Sequence, residues 1–143
     1  MKILVVHRET ELYERLKQLC ENSEKKYFRD LKIDYARDTN AKRYGNFESY
    51  VQKMEKEGPE WIEPDQEVLD KIADADILLT EWGGISSRVI QAGKKLKLIA
   101  TIRSGCENIN TEYAKERGIP VSISPSRLAN AVADMTIALM LSE

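Results

Sequence analysis

The residues best suited to chemistry gather at one point of the sequence. Leu98-Ile99-Ala100-Thr101-Ile102 is a continuous apolar run, and Arg103, Ser104 and Gly105 follow it directly. Gly105 lets the backbone turn sharply or approach a ligand closely. Free backbone N–H groups with a guanidinium nearby can hold a small carboxylate. A plain strand-to-helix turn has the same composition, so both readings stand on the residues alone. The single histidine, His7, has no evident acid–base partner and is read as structural. Cys20 and Cys106 lie far apart, with no C-x-x-C or histidine-rich context, so no metal site is expected. The seven glycines (45, 58, 83, 84, 93, 105 and 118) contain no G-x-G-x-x-G, hence no turn prepared for a pyrophosphate.

These residues need a frame, and the hydrophobic pattern supplies one. Lys2 to His7 is a short run rich in branched residues, followed by Leu12, Leu16, Leu19 and Cys20 at helical spacing. Lys32 to Arg37 alternates, while Ile77-Leu78-Leu79 and Leu98 to Ile102 are apolar throughout, as in sheets covered on both faces. Helical patterns lie between them (Val68, Leu69 and Ile72; Val89 and Ile90), and a fifth short strand follows at Pro120 to Ile123. Alternating strands and helices predict an α/β fold with a doubly wound, flavodoxin-like parallel sheet of about five strands. Val5, Leu78 and Ile99 are then fully buried. In such sheets ligands bind beyond the carboxyl ends of the strands, where Arg103 to Gly105 lie. Asn110 is suited to cap a helix from Thr111 to Arg117 that Gly118 and Pro120 end. Residues 38–64 interrupt the rhythm as a charged surface insertion with one helix near Phe47 to Lys56. Its aromatics, Tyr44, Phe47, Tyr50 and Trp61, are read as docking it onto the domain rather than lining a partner surface.

A chain of 143 residues is long enough for one core, burying roughly two thirds of its unfolded surface. With 22 basic and 24 acidic residues the net charge is −2, which argues against nucleic acid or an anionic membrane surface as partner. The N-terminus lacks the apolar stretch of a signal peptide, and no run approaches the ~20 apolar residues of a membrane span, so a cytoplasmic location is expected. A receiver domain would need an acidic cluster after the first strand, and a flavin-binding module a glycine-containing phosphate loop there. His7-Arg8-Glu9-Thr10 offers neither.

Four blocks, in order, carry a resemblance: Leu96-Lys97-Leu98-Ile99-Ala100; Gly105-x-Glu107-Asn108-Ile109-Asn110; Gly118-Ile119-Pro120-Val121; and Pro125 with Ala131-Val132-Ala133-Asp134. Over about 45 residues they resemble the D-2-hydroxyacid dehydrogenase family. The departures are Glu107 and Asn110 for Asp, Asp134 for Glu, Ser126 for a frequent Gly and Leu128 where Asn is common; the last two bear on the shape of the cofactor-side loop. The resemblance implies an oxidoreductase that moves a hydride between NAD or NADP and a D-2-hydroxyacid or 2-oxoacid. It implies a substrate-binding domain over residues 1–126 and a helix, residues 127–143, crossing to a nucleotide-binding domain. Arg103, Ser104 and Gly105 would contact the substrate carboxylate, and Ser104 also the nicotinamide end of the cofactor. The family's catalytic Arg, Glu and His fall beyond this sequence, so no catalytic residue and no bound NAD are expected here. The helix over Ala129 to Ser142 is apolar all round, which predicts a homodimer or self-association through 129–142. A non-enzymatic relative that senses the nicotinamide cofactor is the alternative.

Overall fold

In the computed structural model, which describes residues 1–8, 14–15, 17–19, 21–22 and 30–142, five strands form one sheet in the order β2-β1-β3-β4-β5. They are β1 (Lys2–His7), β2 (Lys32–Arg37), β3 (Ile77–Thr80), β4 (Leu98–Thr101) and β5 (Val121–Ser122). Every pairing is parallel, with Val5 opposite Tyr35 and Leu79, and Leu78 opposite Ile99. This is the expected doubly wound arrangement. Leu12, Leu16 and Cys20 lie outside the described residues; Leu19 is exposed.

Helices pack against the apolar strand runs. Leu4, Leu78 and Ile99 are 0% exposed and Val5 1%. Leu4, Leu78 and Ile99 pack with Val68 and Ile72 of α3 (Gln66–Ile72), Val89 and Ile90 of α4 (Ser87–Ala92) and Ala114 of α5 (Thr111–Glu116). The Asn110 side chain accepts from the Tyr113 N–H at 2.8 Å, so α5 begins with the expected cap.

The insertion holds two helices, α1 (Asn40–Arg43) and α2 (Phe47–Glu57). Asn46 caps α2 by accepting from Ser49 N at 2.9 Å. The two ends of the excursion are pinned together where Asp65 accepts from Thr39 N and Oγ1 (both 2.7 Å) and from Arg43 Nη2 (2.6 Å). Tyr50, Met54, Ala41 and Ile62 form a second small core against Phe47, Trp61 and Trp82. Trp61 meets Tyr44 and Tyr50 edge to face, with centroids 4.8 and 5.9 Å apart, so three of the four insertion aromatics stack on one another while docking the excursion. A final helix, α6 (Ala129–Leu141), buries no residue at all.

Candidate functional site

The carboxyl ends of β3 and β4 carry two loops, residues 81–84 and 102–110, locked face to face by Asn108. This residue is 0% exposed. Its amide Nδ2 donates to Gly83 O at 2.9 Å and Glu81 O at 3.3 Å. Ile85 N donates to Asn108 O at 2.7 Å, and Asn110 N to Ile85 O at 2.9 Å. Gly83 is needed for this approach, since a Cβ there would stand 2.8 Å from Val6 Cγ1 and 2.9 Å from Thr80 Oγ1.

Arg103, Ser104 and Gly105 follow β4 as expected, but their side chains part company. The Arg103 guanidinium is buried and turned toward the insertion. Its Cζ lies 3.7 Å from the centre of the Trp82 ring. Nη2 donates to Glu55 Oε1 of α2 at 3.0 Å and lies 3.5 Å from Glu107 Oε2, and Nη1 reaches Asn108 Oδ1 at 3.4 Å. Arg103 thus joins the insertion to the β4 loop. Ser104 is exposed, its hydroxyl donating to Ser124 O at 3.2 Å. Among the described residues the Ser104 and Gly105 amides donate to no protein group. Two unused N–H groups at the end of a parallel strand can receive a small anion. The Glu107 carboxylate lies against Gly105, close enough that a Cβ there would collide with it.

Neighbouring groups fix the rest of the edge. Ser124 N donates to Arg103 O at 2.8 Å, and Arg127 pairs with Glu81 at 3.8 Å. Ser126 has φ +62°, the left-handed region that favours glycine. The backbone therefore keeps a glycine-type turn at a position where the resembling family often has glycine. Burial lowers the His7 pKa, and its ring meets Tyr35 edge to face at 6.3 Å.

Residue type alone does not mark Trp82, Glu107 or Asn108, although Glu107 and Asn108 stand inside the Gly105 to Asn110 stretch that resembles the family. A lone buried amide has no sequence signature; only its position between two loops gives it a role. The seven glycines provide no pyrophosphate turn, so the described residues fit at most the nicotinamide end of a dinucleotide.

Parallel strands with two unspent amides beyond β4 define a doubly wound α/β domain. The chain belongs to the D-isomer specific 2-hydroxyacid dehydrogenase family, matching its catalytic-domain model over residues 29–139. It is 42% identical over 79 residues to a Staphylococcus aureus protein named as a 2-hydroxyacid dehydrogenase, covering 54% of this chain and 25% of that one. It is also 42% identical over 77 residues to a D-3-phosphoglycerate dehydrogenase of Methanocaldococcus jannaschii, covering 53% and 15%. In fold it is similar to NAD+-bound 3-phosphoglycerate dehydrogenase from Entamoeba histolytica, with TM-score 0.66 and 23% identity over 98% of this chain and 38% of that one. A D-lactate dehydrogenase of Aquifex aeolicus complexed with NAD and lactic acid gives TM-score 0.58 and 19% identity, over 98% and 33%. The matched stretch thus spans a quarter or less of these curated relatives' length. Among the described residues no helix is long and apolar enough to cross a membrane.

Proposed function

We propose that residues 1–126 form the substrate-binding domain of a cytoplasmic oxidoreductase that transfers a hydride between NAD(P) and a D-2-hydroxyacid or 2-oxoacid. Residues 127–143 then cross to a nucleotide-binding domain and take part in a homodimer contact through 129–142. The observation that carries the reading is the pair of unspent amides at Ser104 and Gly105, beyond β4 of a chain that belongs to this family. In the bound state these amides hold the substrate carboxylate, and Ser104 Oγ, exposed at the rim, lies toward the nicotinamide. Arg103 acts as a positioning residue, fixing the loop through Glu55 and Glu107. The nicotinamide cofactor supplies the hydride when bound. This chain's part is to orient the acid by its carboxylate, which reduces the freedom lost at the reacting centre.

The test is steady-state kinetics of the full-length protein with NADH or NADPH and a panel of 2-oxoacids. Gly105→Val should raise KM and lower kcat/KM, because its branched side chain displaces Glu107 and closes the path to the amides. Wild-type kinetics from that variant would remove Gly105 from the site. Absence of turnover with every oxoacid would remove the dehydrogenase reading.

A further inference from the structure

Beneath the 81–84 loop lies a buried acid with no place in the proposed substrate site. Asp38 follows β2 and is 6% exposed. Its Oδ1 accepts from Asn40 N at 2.9 Å and from Asn40 Nδ2 at 2.7 Å, whereas Oδ2 is buried with no hydrogen-bond partner among the described residues. An ionised carboxylate is unfavourable there, because the desolvation of that oxygen is not offset. Gly83 lets the loop settle on it: a Cβ at this position would stand 3.5 Å from Asp38 Oδ2.

Tyr50 of α2, 1% exposed, supports the same loop. Its hydroxyl donates to Trp82 O at 3.3 Å and also faces the Asp38 carboxyl group and the Gly84 N–H. One phenol oxygen therefore stands between a buried acid and a loop carbonyl. A neutral Asp38 completes a chain in one direction, with Oδ2–H donating to Tyr50 Oη and Oη–H to Trp82 O. An ionised Asp38 can only accept, so the phenol hydrogen turns to Oδ2 and Trp82 O loses its donor. The proton leaves through the cleft of about 360 Å³ that Asp38 lines.

Desolvation is the largest influence on Asp38 and holds its pKa above the ordinary 3.8, against the two hydrogen bonds from Asn40. Asp65, ahead of α3, acts in the same direction as burial, and Arg8, after β1, acts against it. The Arg8 charge also answers Glu81, which faces it from the 81–84 loop. Arg37 and Lys42 line the cleft, while His7 turns its ring to Tyr35. The neutral acid thus persists at pH values where an exposed aspartate has lost its proton.

Asn108 fastens this loop to the next one, its Nδ2 donating to Gly83 O and Glu81 O, and Trp82 itself lies under the Arg103 guanidinium. We propose that Asp38 and Tyr50 are positioning residues that form a proton-operated catch: the neutral acid holds Trp82 O through the phenol, and ionisation releases it and loosens the Ser104–Gly105 loop in turn. The catch needs no reaction to operate. Its consequence for substrate binding rests on the dehydrogenase reading.

Nuclear magnetic resonance against pH tests the catch without turnover, by following the Asp38 carboxyl carbon, the Trp82 carbonyl carbon and the amides of Ser104 and Gly105. All should move with one midpoint above 3.8. In Tyr50→Phe the Asp38 carboxyl should still titrate, while the changes at Trp82, Ser104 and Gly105 shrink about threefold or more. In Asp38→Asn, which has the shape of the neutral acid, they should vanish. A midpoint at or below 3.8, or changes at Trp82 that survive either substitution, overturns the catch. Flat Ser104 and Gly105 amides in the wild type overturn its link to the substrate loop. In the full-length enzyme, KM for the 2-oxoacid turned over best should rise about threefold or more as pH passes the same midpoint, and the rise should be absent in Asp38→Asn. A KM that ignores the midpoint overturns the effect on substrate. Absence of all turnover would break the dehydrogenase reading, while the carbon and amide shifts would still decide the catch.

Discussion

Helices α2 and α6 are of similar length, 11 and 13 residues, but their sequences distribute apolar groups differently. Helix α2 places Tyr50 and Met54 one turn apart on a single face, with Glu48, Lys53 and Glu57 on the others, and both apolar residues are buried. Helix α6 carries apolar residues around its whole circumference and buries none: Val132 is 61% exposed, Met135 59% and Leu141 82%. A helix with one apolar stripe finds its cover within the chain. One that is apolar all round requires cover on every side, and here the chain's own contacts provide none.

The largest test of this contrast is in α2. Met54 is 0% exposed inside the insertion's small core, so Met54→Ala should cost about 2–5 kcal/mol, close to Leu78→Ala in the sheet. Urea denaturation followed by circular dichroism measures both. A loss below about 1 kcal/mol for Met54→Ala would mean the insertion rests loosely on the domain and that its stripe is not a core.

Arg103 offers the next test, because it bolts that helix to the β4 loop. Arg103→Met keeps the apolar stem but removes the links to Glu55 and Glu107 and leaves Asn108 Oδ1 without its donor. The two carboxylates are about half exposed (47% and 46%) and return to water at little cost. The expected loss is therefore about 2 kcal/mol, mostly from the buried amide and the stacking on Trp82. A guanidinium whose only task were to meet substrate would leave stability unchanged when removed.

These cases also mark what the sequence discloses. The sheet was legible because its strands are short apolar runs that pack under helices, and Asn110 announced its helix because a cap acts within three residues. The place of Arg103 was not legible: its main partner, Glu55, is 48 residues away in the insertion, and no local pattern encodes that pairing. Ser126 shows the intermediate case, a departure visible in the sequence whose consequence, a left-handed backbone at a side-chain-bearing residue, needs coordinates.

Glu60 sharpens the comparison from outside α2. Burial works against its charge, but hydrogen bonds from Asn110 Nδ2, Ser87 Oγ and Ser87 N outweigh this and hold its pKa below the usual carboxylate value. A depressed folded pKa means the unfolded chain binds the proton more readily. The contribution is thus complete above the unfolded value of 4.5 and fades as pH falls through the folded value. Stability measured against pH should decline less steeply below 4.5 in Glu60→Gln than in the wild type. Parallel curves would show that this clasp between the insertion and α4 carries no weight. At Ser126, relief of the left-handed strain predicts that Ser126→Gly raises stability by about 0.5–1 kcal/mol.

The smallest expected effect decides what α6 is for. Leu139 is 57% exposed, so truncating it removes side chain that already faces water, and alanine is at least as good a helix former. In dilute solution Leu139→Ala should shift the unfolding free energy by less than about 0.5 kcal/mol. A cost near 2 kcal/mol there would place Leu139 inside the monomer's own core and end the contrast with α2. At tens of micromolar the same change should act differently. If α6 pairs with a second copy, each dimer loses two apolar side chains from its contact, and the dissociation constant measured by light scattering should rise about tenfold or more. A wild-type protein that stays a 16.4 kDa monomer at that concentration would instead leave the apolar helix to a partner other than its own copy.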